Sequence, residues 1–273
     1  MAVDSSQALL KEIRDTPGKW LYHYTSMETA FVHILPTCRL RLSPFSRMRD
    51  PREYKQWFPG ALGYYEGNVD ALMPNYTEAS LRLNLLRDEF KLLSLTLDRD
   101  DTEEGACGRG FARSRLWELY AGRGSGVCLV LRKSEAVGAN RGATREARPR
   151  RARSSALQER PDAHERHVLV RGTVRRRRQR DRGSNRRAIP RQALSTKNSE
   201  WESEHEYRFI VRSPAEYEYV DISGALTAAC RSPESVADAE HALHYFAKEL
   251  GIAIGYLEWN HNDPILLGRP LDA

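Results

Sequence analysis

The chain has 273 residues, 40% of them hydrophobic and 29% charged, enough for one sizeable buried core with irregular material beside it. Its net charge of +6 misleads as an average: 18 of the 43 basic residues are arginines between positions 141 and 191, a stretch with five of the 37 acids. The remainder carries 25 basic against 32 acidic residues, which excludes a fold that binds nucleic acid through an overall basic surface.

No run approaches the roughly 18 apolar residues of a membrane span. The opening MAVDSSQALLKEIRDTPGKW has charges inside its short apolar run, so it reads as a helix and not as a signal peptide. That helix is entered at Asp4 or Ser5, with Ala8, Leu9, Leu10 and Ile13 on or near one face. Cys38, Cys107, Cys128 and Cys230 lie far apart, without zinc or disulfide spacing. Reduced structural thiols, no metal, no membrane and a cytoplasmic location are therefore expected.

LYHYTS (21–26) begins as a strand, and METAFVHIL (27–35) follows as a helix capped by Thr25 or Ser26, with Ala30, Phe31, Ile34 and Leu35 buried. RLRLSP (39–44) alternates apolar and basic residues as a half-exposed strand does, and SRMRDPREY (46–54) is a turn entering a helix. Asp50 and Glu53 suit the start of that helix as caps. KLLSLTLD (91–98) reads as a buried strand and GVCLVLRK (126–133) as the strongest strand of the chain. Between them RSRLWELYA (113–121) is a helix stopped by Gly122. HEYRFIVRS (205–213) alternates as a strand, SVADAEHALHYFAKELG (235–251) is an amphipathic helix, and IAIGYLEW (252–259) adds a last strand. The pattern is that of a mixed α+β fold: one discontinuous domain over 1–133 and 193–273, interrupted by 134–192.

That interruption has no Phe, Tyr or Trp, no lysine and no periodicity, so disorder is expected of it. Three readings fit it. It is a basic arm for phosphate backbones through Arg175 to Arg178, an inert solvated loop, or a stretch of a GC-rich gene translated out of frame. Reading the encoding DNA in its other two frames decides the last: no sheet-like sequence in either frame would exclude it.

LYHYTS, RLSP, the DPxEY turn, SLT, LWELYAGRGSGVCL and KNSEWESEHEYRF, in this order, resemble the bacterial domain-of-unknown-function family 2971. The likeness covers about 20–133 and 197–211, and departs from the family at Arg49, where an Asn is usual before Asp-Pro. More loosely, His-x-Thr on an early strand, a following helix and an xLRLS strand are similar to the opening of DNA-modifying ADP-ribosyltransferases and RNA 2′-phosphotransferases. A late Glu-x-Glu is similar to the catalytic carboxylates of ADP-ribosyltransferases. This likeness implies a central sheet, whole or split, with flanking helices, NAD as substrate, and a nucleic acid or protein as acceptor.

Under that resemblance Glu206 is the main catalytic carboxylate and Glu204 its helper. Cleaving the nicotinamide–ribose bond builds positive charge on the sugar, which a fixed carboxylate stabilises. In a strand Glu204, Glu206 and Arg208 share one side, with Tyr207 and Phe209 turned to the core. His23 with Thr25 would hold a ribose or amide, Arg41 or Arg49 the pyrophosphate, and Tyr24 or Trp117 would stack on a ring. Each has a plainer counterpart. Glu-x-Glu-x-Arg is also the solvent face of an amphipathic strand, His23 a structural histidine, and Tyr24 and Trp117 core aromatics. A non-catalytic binding or regulatory domain is then the alternative. GRGSG (122–126) follows a helix and precedes a strand, the reverse of a phosphate loop, and is a connector.

Overall fold

A computed structural model describes residues 2–48, 51–56, 69–99, 102–138, 205–232, 234–235, 238–261 and 263–268. In chain order they form α1 (Ala2–Asp15), β1 (Trp20–Thr25), α2 (Met27–Thr29) continued by a wide π turn (Ala30–Ile34), and β2 (Arg39–Pro44). Next come α3 (Pro51–Tyr54), α4 (Val69–Asp88), β3 (Phe90–Thr96), α5 (Ser114–Tyr120) and β4 (Val127–Arg132). The chain ends with β5 (Glu206–Arg212), β6 (Glu218–Asp221), β7 (Leu226–Arg231), α6 (Asp238–Leu250), β8 (Ala253–Asn260) and β9 (Asp263–Gly268). The architecture is mixed α and β, with one large open sheet. Its strand order is β6-β2-β3-β1-β4-β7-β8-β9, and β5 also pairs with β3. All the pairings are antiparallel except β7 with β8, which α6 connects. Among the described residues no helix is long and apolar enough to cross a membrane.

The sequence pattern explains the strands' places. β4 is apolar on both faces because it lies between β1 and β7 with side chains covered above and below. β2 alternates exposed Arg39 and Arg41 with buried Leu40 and Leu42, since only one of its faces meets the core. The main core lies on the face carrying Leu21, Leu93, Leu95, Leu129, Tyr207 and Phe209. Ala30 and Ile34 from the turn after α2, and Leu243 and Ala247 from α6, close over it. Phe31 stacks on Phe246 at 5.8 Å between centroids, joining those two covering elements. A fully buried phenylalanine such as Phe209 contributes roughly 1.5–3 kcal/mol relative to exposure.

On the opposite face α1 packs against β8 and β9 through Leu10 and Ile13, whereas Ala8 is exposed. The fit needs small neighbours: a Cβ at Gly255 or Gly268 would stand 3.3 or 3.0 Å from the Leu10 side chain. Trp20, Tyr22 and Tyr24 meet Phe111, Leu116 and Trp117 on this face, and farther along Phe45, Leu92 and Ile210 make a second, smaller cluster.

The sheet parts at one place. β5 follows one edge of β3 throughout, from Phe90 opposite Arg212 to Thr96 opposite Glu206. The other edge is shared, for β2 pairs with Lys91 and Leu92 while β1 pairs only with Thr96. Along residues 93–95 neither strand is in register with β3, and the α2 turn bridges the diverging strands.

Candidate functional site

Residues directly opposite one another across a strand pair share a face of the sheet. Tyr22, Thr96 and Glu206 therefore form one row, Ser94 and Arg208 the next, and Ser43, Leu92 and Ile210 the one after. The first row borders the apolar cluster of Tyr22 and the third belongs to that of Phe45. Thr96, Ser94, Glu206 and Arg208 thus form a polar band between two apolar clusters. Ser94 is exposed within it, while Arg208 is only 5% exposed.

Arg208 bridges two carboxylates, that of Glu206 at 2.8 Å and that of Glu53 on α3 at 2.5 Å. Burial by itself lowers the pKa of this guanidinium, but Glu206 and then Glu53 override it and hold the value above the ordinary one. Both carboxylates are largely buried and fixed by the same cation. At the head of β5 His205 has a left-handed backbone, φ 45°, and its carbonyl accepts a hydrogen bond from the Leu97 N–H at 2.8 Å. This unfavourable conformation directs the chain into β5 one residue before Glu206.

Beside the band, where β1 and β2 diverge, lies a cavity of about 660 Å³. His23 lines it from β1, Thr29, Val32, His33, Ile34 and Thr37 from the bridging turn, and Arg39, Arg41, Ser43 and Tyr219 from β2 and β6. By register those last four stand on the face that carries Glu206. His23 is half-buried and hydrogen-bonded to the backbone of Ser94. Burial drives its pKa down to about 4, the hydrogen bond opposing this only in part, so the ring is neutral at physiological pH. Arg41 lies 4.6 Å above the Tyr217 ring, which steadies its guanidinium at the cavity wall.

The cavity therefore brings together His23 and Arg41 of the residues expected from the sequence. Glu206 stands on the same face as Arg41, two strands across. Thr25 is buried on the core side of β1 and does not line the cavity. Tyr24 and Trp117 are placed elsewhere, in the apolar cluster on the Tyr22 side. Their rings meet edge to face at 5.3 Å, the Tyr24 hydroxyl donates to the Gly110 carbonyl, and Trp117 Nε1 donates to the Phe111 carbonyl at 2.8 Å. Both rings are buried there and neither lines the cavity. Glu204, Arg49 and Asp50 lie outside the described residues, as does the arginine-rich stretch from 139 onward.

Sequence reasoning overlooked Ser94, Arg39, Ser43 and Tyr219, and it assigned Glu53 only a capping role. Glu53 does lie in the first turn of α3, but its side chain also reaches Arg208. The pairing depends on β3 and β5 being neighbours, which no local pattern announces. A separate polar group supports the band from the Tyr22 side. The Asp98 carboxylate accepts from Gly18 N–H at 2.8 Å and Gly110 N–H at 2.9 Å, with Arg109 at 3.7 Å. Burial, with Asp98 nearby, pushes the Tyr22 hydroxyl well above its usual pKa, so it stays protonated.

The fold and this site define a mixed α and β protein with a polar cleft at a parting of its sheet. In comparisons with family models, with curated proteins and with solved structures, nothing matches the chain.

Proposed function

We propose that the chain is a NAD-consuming enzyme of the ADP-ribosyltransferase type, with a nucleic acid or protein as acceptor. One observation carries this reading: His23 and Arg41 line a single cleft, and its β2 and β6 residues Arg39, Arg41, Ser43 and Tyr219 stand on the face of the sheet that bears Glu206, with His23 reaching it from the other face. Positive charge for a diphosphate thus lies in the cleft wall on β2, and a fixed carboxylate stands two strands across on the same face. In the reaction the bond between nicotinamide and the ribose carbon breaks, and nicotinamide leaves with the electron pair. A nucleophile of the acceptor, or water, bonds to that carbon and gives its proton to a carboxylate. Glu206, fixed by its ion pair with Arg208, is the carboxylate for the positive charge developing on the sugar. Neutral His23 serves as a hydrogen-bonding group for a ribose hydroxyl or amide, and Glu204 keeps the helper role that the resemblance implies.

A second reading, a non-catalytic binding domain, draws on the same ion pair: Glu206 and Glu53 clasping Arg208 also make a structural strut. Titrating NAD into the parent and into Arg41→Ala, with melting followed, separates the two. A rise in melting temperature with NAD that Arg41→Ala abolishes supports the enzyme. No rise in the folded parent favours the strut.

A further inference from the structure

We infer that the cleft holds a nucleoside diphosphate, with the base on Tyr219 at the mouth and the diphosphate on Arg39 and Arg41 along the wall. This deepens the NAD reading by assigning the part of the ligand that the cleft grips, and it rests on that reading. The mouth is where the structure leaves large apolar side chains open. Tyr219 is 57% exposed and Val32 58%, one on the strand wall and one on the bridging turn, and both line the cavity. Elsewhere on these elements the apolar side chains Leu40, Leu42 and Val220 are buried. An exposed aromatic and an exposed aliphatic at the rim of a charged cavity provide a surface for one flat ring. The cavity, at about 660 Å³, is of the size that holds a nucleotide.

Register places the charge next to that surface. Arg41 is directly opposite Tyr219 and Arg39 directly opposite Asp221, so the two arginines follow the ring platform along one face of β2. Asp221 is itself kept below the usual carboxylate range, first by hydrogen bonds from Ser223 and also by the charge of Arg39. Arg41 rests on the Tyr217 ring, and no carboxylate among the described residues forms an ion pair with it. A diphosphate anion matches the fork geometry of an arginine so held. Ser43, farther along the same face, and Thr29, on the turn, add hydroxyl groups to the lining.

The test uses calorimetric titration of the full chain with ADP, inorganic pyrophosphate and adenosine, on the parent and on Tyr219→Ala, Tyr219→Phe and Arg41→Ala. Tyr219 is exposed, so these two changes leave the fold intact, and circular dichroism confirms it. ADP should bind more tightly than either fragment. Tyr219→Ala should weaken ADP roughly tenfold while leaving pyrophosphate unchanged. Tyr219→Phe should bind ADP like the parent, and Arg41→Ala should weaken ADP and pyrophosphate alike. Equal affinity for ADP and pyrophosphate, no effect of Tyr219→Ala, or no binding of ADP to the folded parent would each overturn the inference. Nicotinamide release from NAD is read beside it. ADP binding that depends on Tyr219 without any release sinks the transferase reading alone. Release with an indifferent Tyr219 sinks the ring platform alone.

Discussion

The imidazole of His23 is hydrogen-bonded to the backbone of Ser94 across the place where β1 and β3 separate. It occupies a position where a strand partner is missing, and burial there favours the neutral ring. The native pKa, about 4, lies below the ordinary value of 6.5, so the unfolded chain binds the proton more readily. The contribution of His23 to stability is therefore complete above pH 6.5 and is lost as pH falls from 6.5 toward 4, by up to about 3 kcal/mol. Urea denaturation at pH 7.5 and 4.5 should show the parent losing more stability than His23→Gln over that interval. Parallel losses in both proteins would contradict the buried neutral ring.

Arg208 pairs with two carboxylates that would otherwise face each other in a largely buried site. Replacing it by methionine keeps the bulk but strands Glu53 and Glu206, at an expected cost of about 3–5 kcal/mol. Glu206→Gln leaves Arg208 paired with Glu53 and should cost less, roughly 1–2 kcal/mol. Denaturant midpoints of the two variants check the order; an Arg208→Met as stable as the parent would show that the clasp contributes nothing to folding.

Gly110 lies against the ring of Tyr22, and a Cβ there would come within 2.1 Å of that ring's Cδ2. Tyr22 is completely buried and its row borders the polar band, so it has no room to yield. Gly110→Ala should destabilise by about 1–3 kcal/mol or more. Gly138→Ala, with nothing within 4 Å of the new Cβ, is the control and should leave stability unchanged or slightly raised. Thermal melts of the two variants side by side make the comparison.

The strands that form the site were legible because their periodicity is strong. RLRLSP coincides with β2, KLLSLTLD overlaps β3, and HEYRFIVRS contains β5. The turn of Tyr207 and Phe209 toward the core follows from the same alternation, and both lie in the main core. Other elements gave weaker signals. β7, LTAACR, is rich in alanine and fits a close-packed central position without showing a strand's usual residues, and β6 has four residues only. α4 lacks a clear apolar stripe, and Leu81 and Leu85 on it are exposed. The π turn after α2 departs from the regular helix read from METAFVHIL, though Ala30 and Ile34 are still buried. In the site, single residues were readable where strand position alone decides exposure, as for Arg41. Pairings made by strand order, such as Glu53 with Arg208 and Tyr219 with Arg41, were not, because their partners are distant in sequence. Tyr24 and Trp117 show the converse: aromatic type suggested a ligand surface, and both rings are buried against each other in the apolar cluster.

Nicotinamide release from NAD by the purified chain, compared with Glu206→Gln, addresses the central claim most directly. Circular dichroism should show both proteins folded, and DNA, RNA and cell extract are each offered as acceptor. The account predicts release by the parent and a loss of at least about a hundredfold in the variant, because the carboxylate facing the sugar's developing charge is gone. No release from the folded parent with any acceptor, or equal release by both proteins, would contradict it.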